Sequence, residues 1–293
     1  MSGIKIAAVV ALSAYLIYTV IVDPVDYKAL KGQRVVVCGA STGIGEQIAY
    51  EYSKLGARIV ITARRAEVLK EVAAKCRELG AEEVYSIPLD LSLVESAERL
   101  INESVTLMRG IDILVLNHIM GYYAHWTSKS VEKLELAEKM FKVNTLSYIN
   151  IATYALQHLE ESGGSIVVVS SFAGKMGIPF TAPYSATKHA LHGFFESLRH
   201  DLYYSKSNIS VTICVLGFID TESAIQRAGD TVKVPLLSAN ETAVAIIRGG
   251  ALRQREVYYP RSLVLALYVK QFFPRFLDSI MRYYHDENAI MNR

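Results

Sequence analysis

The chain holds 18 tyrosines, so the first question is which of them stands where a phenol could do proton chemistry. A phenol with a pKa of about 10 is a poor acid or base near neutrality. A lysine ammonium close by stabilises the phenolate and brings the group into a working range. Four residues apart on a helix, a tyrosine and a lysine share one face. Tyr184 and Lys188 have this spacing, and so do Tyr27 with Lys31 and Tyr50 with Lys54. Context separates the three pairs. Thirteen residues before Tyr27 and Tyr50 stand Ala14 and Val37, whereas thirteen before Tyr184 stands Ser171, a hydroxyl able to orient a substrate oxygen.

Ser170 and Ser171 close an apolar run, SIVVVSS at 165–171, one of several such runs rich in Val and Ile: 34–38, 58–62, 83–89, 112–117, 209–216 and 256–259. Most lack polar alternation and read as strands buried on both faces. Amphipathic stretches near 44–55, 66–79, 92–108, 131–160, 184–204 and 240–252 separate them and read as helices, Gly56 and Gly80 closing two. This rhythm predicts β-α-β units around a parallel sheet: an α/β, Rossmann-like, doubly wound single domain of about seven strands over residues 30–260. Ligands of such sheets bind beyond the carboxyl ends of the strands, which is where Ser171 falls.

Directly after the first run comes Gly39-Ala40-Ser41-Thr42-Gly43-Ile44-Gly45, opening a helix. Glycines at a strand-to-helix turn let the backbone approach a pyrophosphate, and the helix N-terminus supplies N–H donors. A dinucleotide is the expected ligand. The second run ends Ile61-Thr62-Ala63-Arg64-Arg65, without the acid that would hold the ribose hydroxyls of NAD and with two guanidiniums able to grip a 2′-phosphate. NADP(H) is favoured.

The totals exclude other classes. Across 293 residues, 31 basic groups balance 29 acidic ones for a net charge of +2, and no Lys/Arg-rich run could track a phosphate backbone; nucleic acid is not an expected partner. Cys38, Cys76 and Cys214 are widely spaced and read as inert thiols with neither a disulfide framework nor a metal site. The mean hydropathy of +0.22 is high, and much of the excess sits at the two ends. Residues 6–22, IAAVVALSAYLIYTVIV, fall just short of the ~20 residues that usually span a bilayer. Followed by Asp23 and Pro24 rather than a small-residue cleavage site, they read as an uncleaved anchor over residues 1–23. Lys5 before the run points the N-terminus to the cytoplasm and the body to the lumen. Sequons at Asn102, Asn208 and Asn240 agree with a luminal body. In the tail, 261–293, aliphatic and aromatic residues interleave with Lys270, Arg275 and Arg282; it reads as an amphipathic helical hairpin for a membrane interface or a partner subunit, or else as a terminal helix covering the core.

Taken together, Gly39-x3-Gly43-x-Gly45, Asn117, Asn144, Ser171, Tyr184 and Lys188 resemble the short-chain dehydrogenase/reductase superfamily over residues 30–260. Asn117-His118-Ile119, the run SIVVVSSFAGKMG, Tyr184-Ser-Ala-Thr-Lys188-His-Ala-Leu-His-Gly-Phe-Phe, Leu216-Gly217 in CVLGFIDTESA, and Gly-Gly-Ala-Leu-Arg at 249–253 are similar to the 11-beta-hydroxysteroid dehydrogenase type 1 branch and its type-1-like relatives. The resemblance implies that Tyr184 exchanges a proton with the substrate oxygen, that Ser171 positions that oxygen, that Lys188 depresses the tyrosine pKa and binds the nicotinamide ribose, and that Asn144 holds a water linking Lys188 to solvent. On the cofactor side it implies contacts from the glycine turn (Gly39, Ser41, Thr42, Gly43, Ile44, Gly45), from Arg64, Arg65, Asp90, Leu91 and Asn117, and from Ile219 to Thr221. Two other roles stay open: Asn144 as a helix cap or bridge, and Asp90 as the N-cap of the helix that follows it. His118, His189 and His192 read as bystanders to the chemistry.

Two positions depart from the pattern. Thr42 stands where the cortisone-reducing member of the branch has a lysine, and Ile178, before Pro179, stands where that enzyme offers a tyrosine to the steroid. The expectation is therefore a membrane-anchored glycoprotein of the endoplasmic reticulum lumen, a homodimer, using NADP(H) to interconvert a hydroxyl and a ketone on a steroid or a similar apolar substrate. A retinoid, prostanoid or xenobiotic carbonyl reductase would use the same residues. A cofactor-binding pseudoenzyme is the reading from another class, against which the intact Asn144–Ser171–Tyr184–Lys188 set argues.

Overall fold

Each apolar run of the sequence is a strand of one seven-stranded sheet in the computed structural model, which describes residues 25–127, 130–229 and 231–285. The run at 6–22 and the residues after His285 lie outside the described residues. The strands are β1 (Arg34–Cys38), β2 (Arg58–Ala63), β3 (Glu83–Pro88), β4 (Ile113–Leu116), β5 (Ser165–Val169), β6 (Ser210–Leu216) and β7 (Glu256–Tyr259). All pairings are parallel, in the order β3-β2-β1-β4-β5-β6-β7.

Period-2 alternation sends successive side chains to opposite faces, and here both faces are apolar. Val35 and Val37 of β1, Ile59 and Ile61 of β2, and Ile113 and Val115 of β4 enter one buried cluster. Their alternates Val36 and Cys38, Val60, and Leu114 and Leu116 enter the other. Helices cover the first face through α1 (Gly43–Lys54), α2 (Ala66–Glu78) and α8 (Ala239–Ala251), and the second through α3 (Val94–Met108), α5 (Ser147–Ser162) and α6 (Ala182–Tyr204). Burying each such aliphatic side chain stabilises the fold by roughly 1.5–3 kcal/mol. Cys38, Cys76 and Cys214 are free and buried, and burial pushes their thiols up, out of the reactive range.

The long helix expected over 131–160 is interrupted. Helix α4 (Val131–Phe141) passes into a π-helical segment, Lys142–Leu146, before α5 resumes. One wide turn adds a residue to the helical circuit and re-aims what it carries, and this one carries Asn144. The apolar run at 165–171 also ends earlier than read: β5 stops at Val169, leaving Ser170 and Ser171 beyond the sheet edge.

The tail forms α9 (Leu263–Phe272) and α10 (Pro274–Tyr283), divided where Pro274 starts the second helix. Leu277 packs with Phe172, Met176 and Val215 in a third cluster that Leu263, Ala266 and Met281 adjoin. The hairpin thus covers part of the core while leaving Leu265, Phe272, Phe273 and Phe276 exposed. Among the described residues, no helix is long and apolar enough to cross a membrane.

Candidate active site

Strand order reverses between β1 and β4, and an open parallel sheet has its ligand crevice at such a point. The glycine turn follows β1 here. Gly43 has φ of +65°, in the left-handed region that favours glycine, and a Cβ there would come within 2.9 Å of the Thr221 methyl. At Gly45 a Cβ would come within 2.1 Å of the Gly39 carbonyl oxygen and 2.5 Å of Asn117 Nδ2; the turn closes only because no side chain is present. Asn117 Nδ2 donates to that same carbonyl at 3.1 Å. The backbone is therefore drawn tight against the N-terminus of α1, as a pyrophosphate cradle requires.

At the adenosine end, Arg65 Nη2 donates to Ser41 Oγ at 3.2 Å and to Thr42 Oγ1 at 3.3 Å. Thr42 thus acts as an anchor for the guanidinium. Asp90 is not the N-cap of the next helix: α3 begins at Val94 with Leu93 in that position, and Asp90 Oδ1 instead accepts the Ser92 amide at 3.0 Å. That bond, helped by the Arg64 charge, holds the carboxyl below the usual carboxylate range. Leu91 is buried in the core cluster under α3, so its side chain packs inward.

A cavity of about 570 Å³ opens from the glycine turn toward the C-terminal hairpin. Ile44, Asn117, Ser171, Tyr184, Lys188, Ile219 and Thr221, predicted from sequence, all line it. The 3-10 turn after Ser171 presents that side chain, whose Oγ accepts the Ala173 amide at 3.2 Å, and it shares the cavity wall with Tyr184 on the first turn of α6. Burial raises the Tyr184 phenol above its ordinary value, while the nearby Ser171 hydroxyl and then the Arg227 charge pull it down. Lys188, 1% exposed, donates from Nζ to the Val169 carbonyl at 3.0 Å and lies 5.9 Å from the Tyr184 ring centroid and 5.2 Å from that of Tyr148. Burial alone lowers its ammonium to about 7.

Asn144, fully buried at the π segment, bridges rather than caps. Its Oδ1 accepts the Met120 amide at 2.6 Å, and its Nδ2 donates to the Met120 carbonyl at 2.8 Å and to Thr187 Oγ1 at 3.2 Å. The other two pairs at the Tyr-x-x-x-Lys spacing sit elsewhere: the Tyr50 hydroxyl donates to Glu46 and Lys54 pairs with Glu51, while Tyr27 lies on a 3-10 turn before β1.

The histidines are structural. His118 Nε2 meets Ser147 Oγ at 2.5 Å, and burial, then the Lys188 charge, lower it to about 3. His192 Nε2 meets Ser170 Oγ at 3.0 Å, and burial, then Lys175, lower it to about 4. His189 Nδ1 meets the Ser185 carbonyl at 2.8 Å. Among the described residues, His192, Glu196 and Glu256 have a spacing that could hold a metal ion, but the Lys175 ammonium already lies 3.1 Å from Glu196 and 2.6 Å from Glu256. Sequence reasoning missed Arg227, Gly121 and Tyr148. No spacing or motif marks them; only the fold brings them to the site.

Comparison with known proteins agrees with this geometry. Short chain dehydrogenases as a family match residues 33–231. A "hydroxysteroid 11-beta-dehydrogenase 1-like protein" of Gallus gallus is 47% identical over 264 residues, 89% of this chain and 91% of its own length; its Danio rerio counterpart is 44% identical over 256 residues, 87% and 88%. Among solved structures, an alcohol dehydrogenase of Thermococcus sibiricus complexed with 5-hydroxy-NADP superposes with a TM-score of 0.68 at 25% identity, covering 77% of this chain and 95% of that one. A Burkholderia cenocepacia short chain dehydrogenase in complex with NADP gives 0.68 at 26%, covering 78% and 96%. With its seven-stranded parallel sheet, its tight glycine turn and the Ser171–Tyr184–Lys188 grouping beyond β5, the chain belongs to the short-chain dehydrogenase family.

Proposed function

We propose that this protein is an NADP(H)-dependent oxidoreductase interconverting a ketone and a secondary alcohol on a steroid or a similar apolar, alicyclic substrate. The observation that carries the reading is that Ser171 and Tyr184 share the wall of a largely apolar cavity of about 570 Å³, with Lys188 buried behind them. That volume lies within the range of small-molecule sites. A nicotinamide cofactor, when bound, supplies or accepts the hydride. In reduction, Tyr184 gives its phenolic proton to the substrate oxygen; in oxidation it takes the proton back. Ser171 donates to the same oxygen, orienting it and stabilising charge that develops there. Lys188, its ammonium near 7, can exchange a proton close to neutrality and favours the phenolate when charged. Asn144 holds the Met120 backbone at the loop after β4, next to the wall where Asn117 and Ile119 line the cavity.

Arg65, tied to Ser41 and Thr42, would grip the 2′-phosphate of NADP(H), with Arg64 beside it. The names of the hydroxysteroid dehydrogenase-like relatives, and the NADP in the solved neighbours, support the substrate class and the cofactor. Ile178 lines the cavity wall and packs against the third cluster, so recognition there is apolar.

We place the working protein at the endoplasmic reticulum membrane with its body in the lumen and as a homodimer. The apolar run at 6–22, the exposed Asn102, Asn208 and Asn240 of the sequons, and the exposed apolar residues of α9 and α10 support the membrane part. Exposed Val131, Leu134 and Leu146 along α4 and the π segment support self-association. One experiment tests the core of the reading: purified protein with NADPH and a panel of ketosteroids and other carbonyls, repeated with NADH, following the nicotinamide absorbance. A protein that binds NADPH and turns over no carbonyl sinks the oxidoreductase reading and favours a cofactor-binding pseudoenzyme. Glycosidase sensitivity and protease protection in microsomes test the luminal placement, and light scattering tests the dimer.

A further inference from the structure

Ser171 and Tyr184 enter the cavity from different elements, the turn after β5 and the first turn of α6, while α7 (Glu222–Ala228) supplies Ala224 and Arg227 to another part of the wall. For one substrate oxygen to meet both hydroxyls, the turn must be held in register with α6. Two contacts do this from consecutive turns of the helix. Lys188 Nζ donates to the Val169 carbonyl at 3.0 Å, and His192 Nε2 meets Ser170 Oγ at 3.0 Å. Val169 and Ser170 are the two residues immediately before Ser171. The fit between turn and helix is close: a Cβ at Gly174 would fall 2.8 Å from Ser170 Oγ and 2.9 Å from both His192 Cδ2 and the Lys188 carbonyl oxygen.

The imidazole is itself held from behind. Tyr184, Lys188, His192 and Glu196 recur every four residues and form one stripe along α6. Past the ring, His192 Nδ1 lies 3.4 Å from Glu196 Oε1 and 3.9 Å from Glu256 Oε1 on β7. Those carboxylate oxygens favour the proton on Nδ1, which leaves Nε2 to accept from the Ser170 hydroxyl. The Lys175 ammonium bridges the same two carboxylates at 3.1 and 2.6 Å, and the Tyr258 hydroxyl donates to Glu256. Lys175 directly follows the 3-10 turn that starts at Phe172, and its carbonyl accepts from Lys270 Nζ of α9 at 2.6 Å. Ser170 and His192 are both buried, so their bond is made in a low-dielectric setting where a supported partner holds one orientation.

We propose that His192 is a positioning residue for the reaction: through Ser170 it fixes the Ser171 hydroxyl against Tyr184, with Glu196, Glu256 and Lys175 holding the ring in place. It takes no part in proton transfer. The proposal rests on the ketone–alcohol reading above and adds a residue that acts through Ser171. The test is a double-mutant cycle on the full chain, with NADPH and a ketone of the panel that wild type reduces. His192→Leu should lower kcat about ten- to hundredfold, the order that misplacing a reacting group by up to about 1 Å costs, with KM for NADPH within about twofold. His192→Gln, which keeps a polar group for Ser170, should recover most of kcat, and Ser170→Ala should match His192→Leu. In a Ser171→Ala background His192→Leu should cost less than about twofold, because no hydroxyl is left to misplace. A loss that persists in full in that background overturns the proposal, since a residue that only stabilises the fold acts equally in both. An unchanged kcat in His192→Leu, or glutamine behaving as leucine, overturns it too. If wild type reduces no ketone, the oxidoreductase reading fails separately, and crystal structures decide for His192: a Ser171 Oγ displaced from Tyr184 in His192→Leu and restored in His192→Gln supports the proposal, and an unmoved one overturns it. Should the leucine variant not fold, Ser170→Ala, which cuts the same bond from its other end, takes its place in each measurement.

Discussion

Asn144 holds Met120 by both backbone groups, accepting its amide at 2.6 Å and donating to its carbonyl at 2.8 Å. The clamp spans from a π-helical turn to the loop after β4, with Asn144 fully buried and Met120 partly so. Asn144→Ala frees the amide and the carbonyl of the partly buried Met120, each costing up to about 1–3 kcal/mol when left unmade. We expect a lowered melting temperature and a kcat reduced at least tenfold, with the loop ahead of Gly121 no longer held. Asn144→Asp keeps the acceptor but loses the donor, and it should rescue stability only in part. Calorimetry and steady-state rates check both outcomes; an alanine variant with wild-type kcat would mean that the clamp does not serve the site.

Removing the phenol tests the chemistry most directly. Tyr184→Phe should lower kcat by about 10²–10⁴-fold, the usual worth of general acid–base catalysis, while NADPH still quenches protein fluorescence with near wild-type affinity. Ser171→Ala should cost less than Tyr184→Phe, because orientation survives in part. A Tyr184→Phe protein with full turnover would overturn the assignment.

Arg65 meets Ser41 and Thr42 at 3.2 and 3.3 Å, which places its charge over the turn and predicts cofactor choice. Arg65→Ala should raise KM for NADPH about tenfold or more and leave KM for NADH within about twofold, since one bidentate phosphate contact is worth roughly 1.5–3 kcal/mol. Equal effects on the two cofactors would assign the 2′-phosphate elsewhere.

Lys188 makes a signed prediction for stability. Its ammonium falls to about 7 in the folded protein by burial, against about 10.4 for an unperturbed lysine. Between those values the unfolded chain binds more protons than the folded one, so stability rises with pH through that window. Below about 7 the full desolvation cost is present; above about 10.4 it is gone. Melting curves of the protein without added nucleotide should therefore show wild type gaining stability relative to Lys188→Met as pH rises from 7 to 10. A constant difference would contradict the burial argument.

Gly45 predicts a steric failure. With a Cβ 2.1 Å from the Gly39 carbonyl oxygen, Gly45→Ala must push the turn open at about 1–3 kcal/mol. Thermal stabilisation by NADPH should disappear along with it. Retained stabilisation would show that the turn can relax without losing the phosphate.

Much of this molecule is legible in order and type of residue. Runs of Val and Ile without polar alternation determine strands buried on both faces, and β1 through β7 begin within a residue or two of where those runs begin. Glycine at 43 and 45, and tyrosine four residues before lysine, are local patterns whose chemistry depends on backbone conformation and helical spacing. Tertiary structure decided what depends on distant segments meeting. The π segment at Asn144 arises where one wide turn lets that side chain reach both Met120 and Thr187, which no helical periodicity encodes. Asp90 accepts the Ser92 amide instead of capping α3 because the helix starts later. Arg227 reaches the wall beside Tyr184 against Gly121, a residue 106 positions away, and its charge pulls the phenol down. Electrostatic work falls with distance in space and rises with desolvation, and neither quantity exists until the chain has folded.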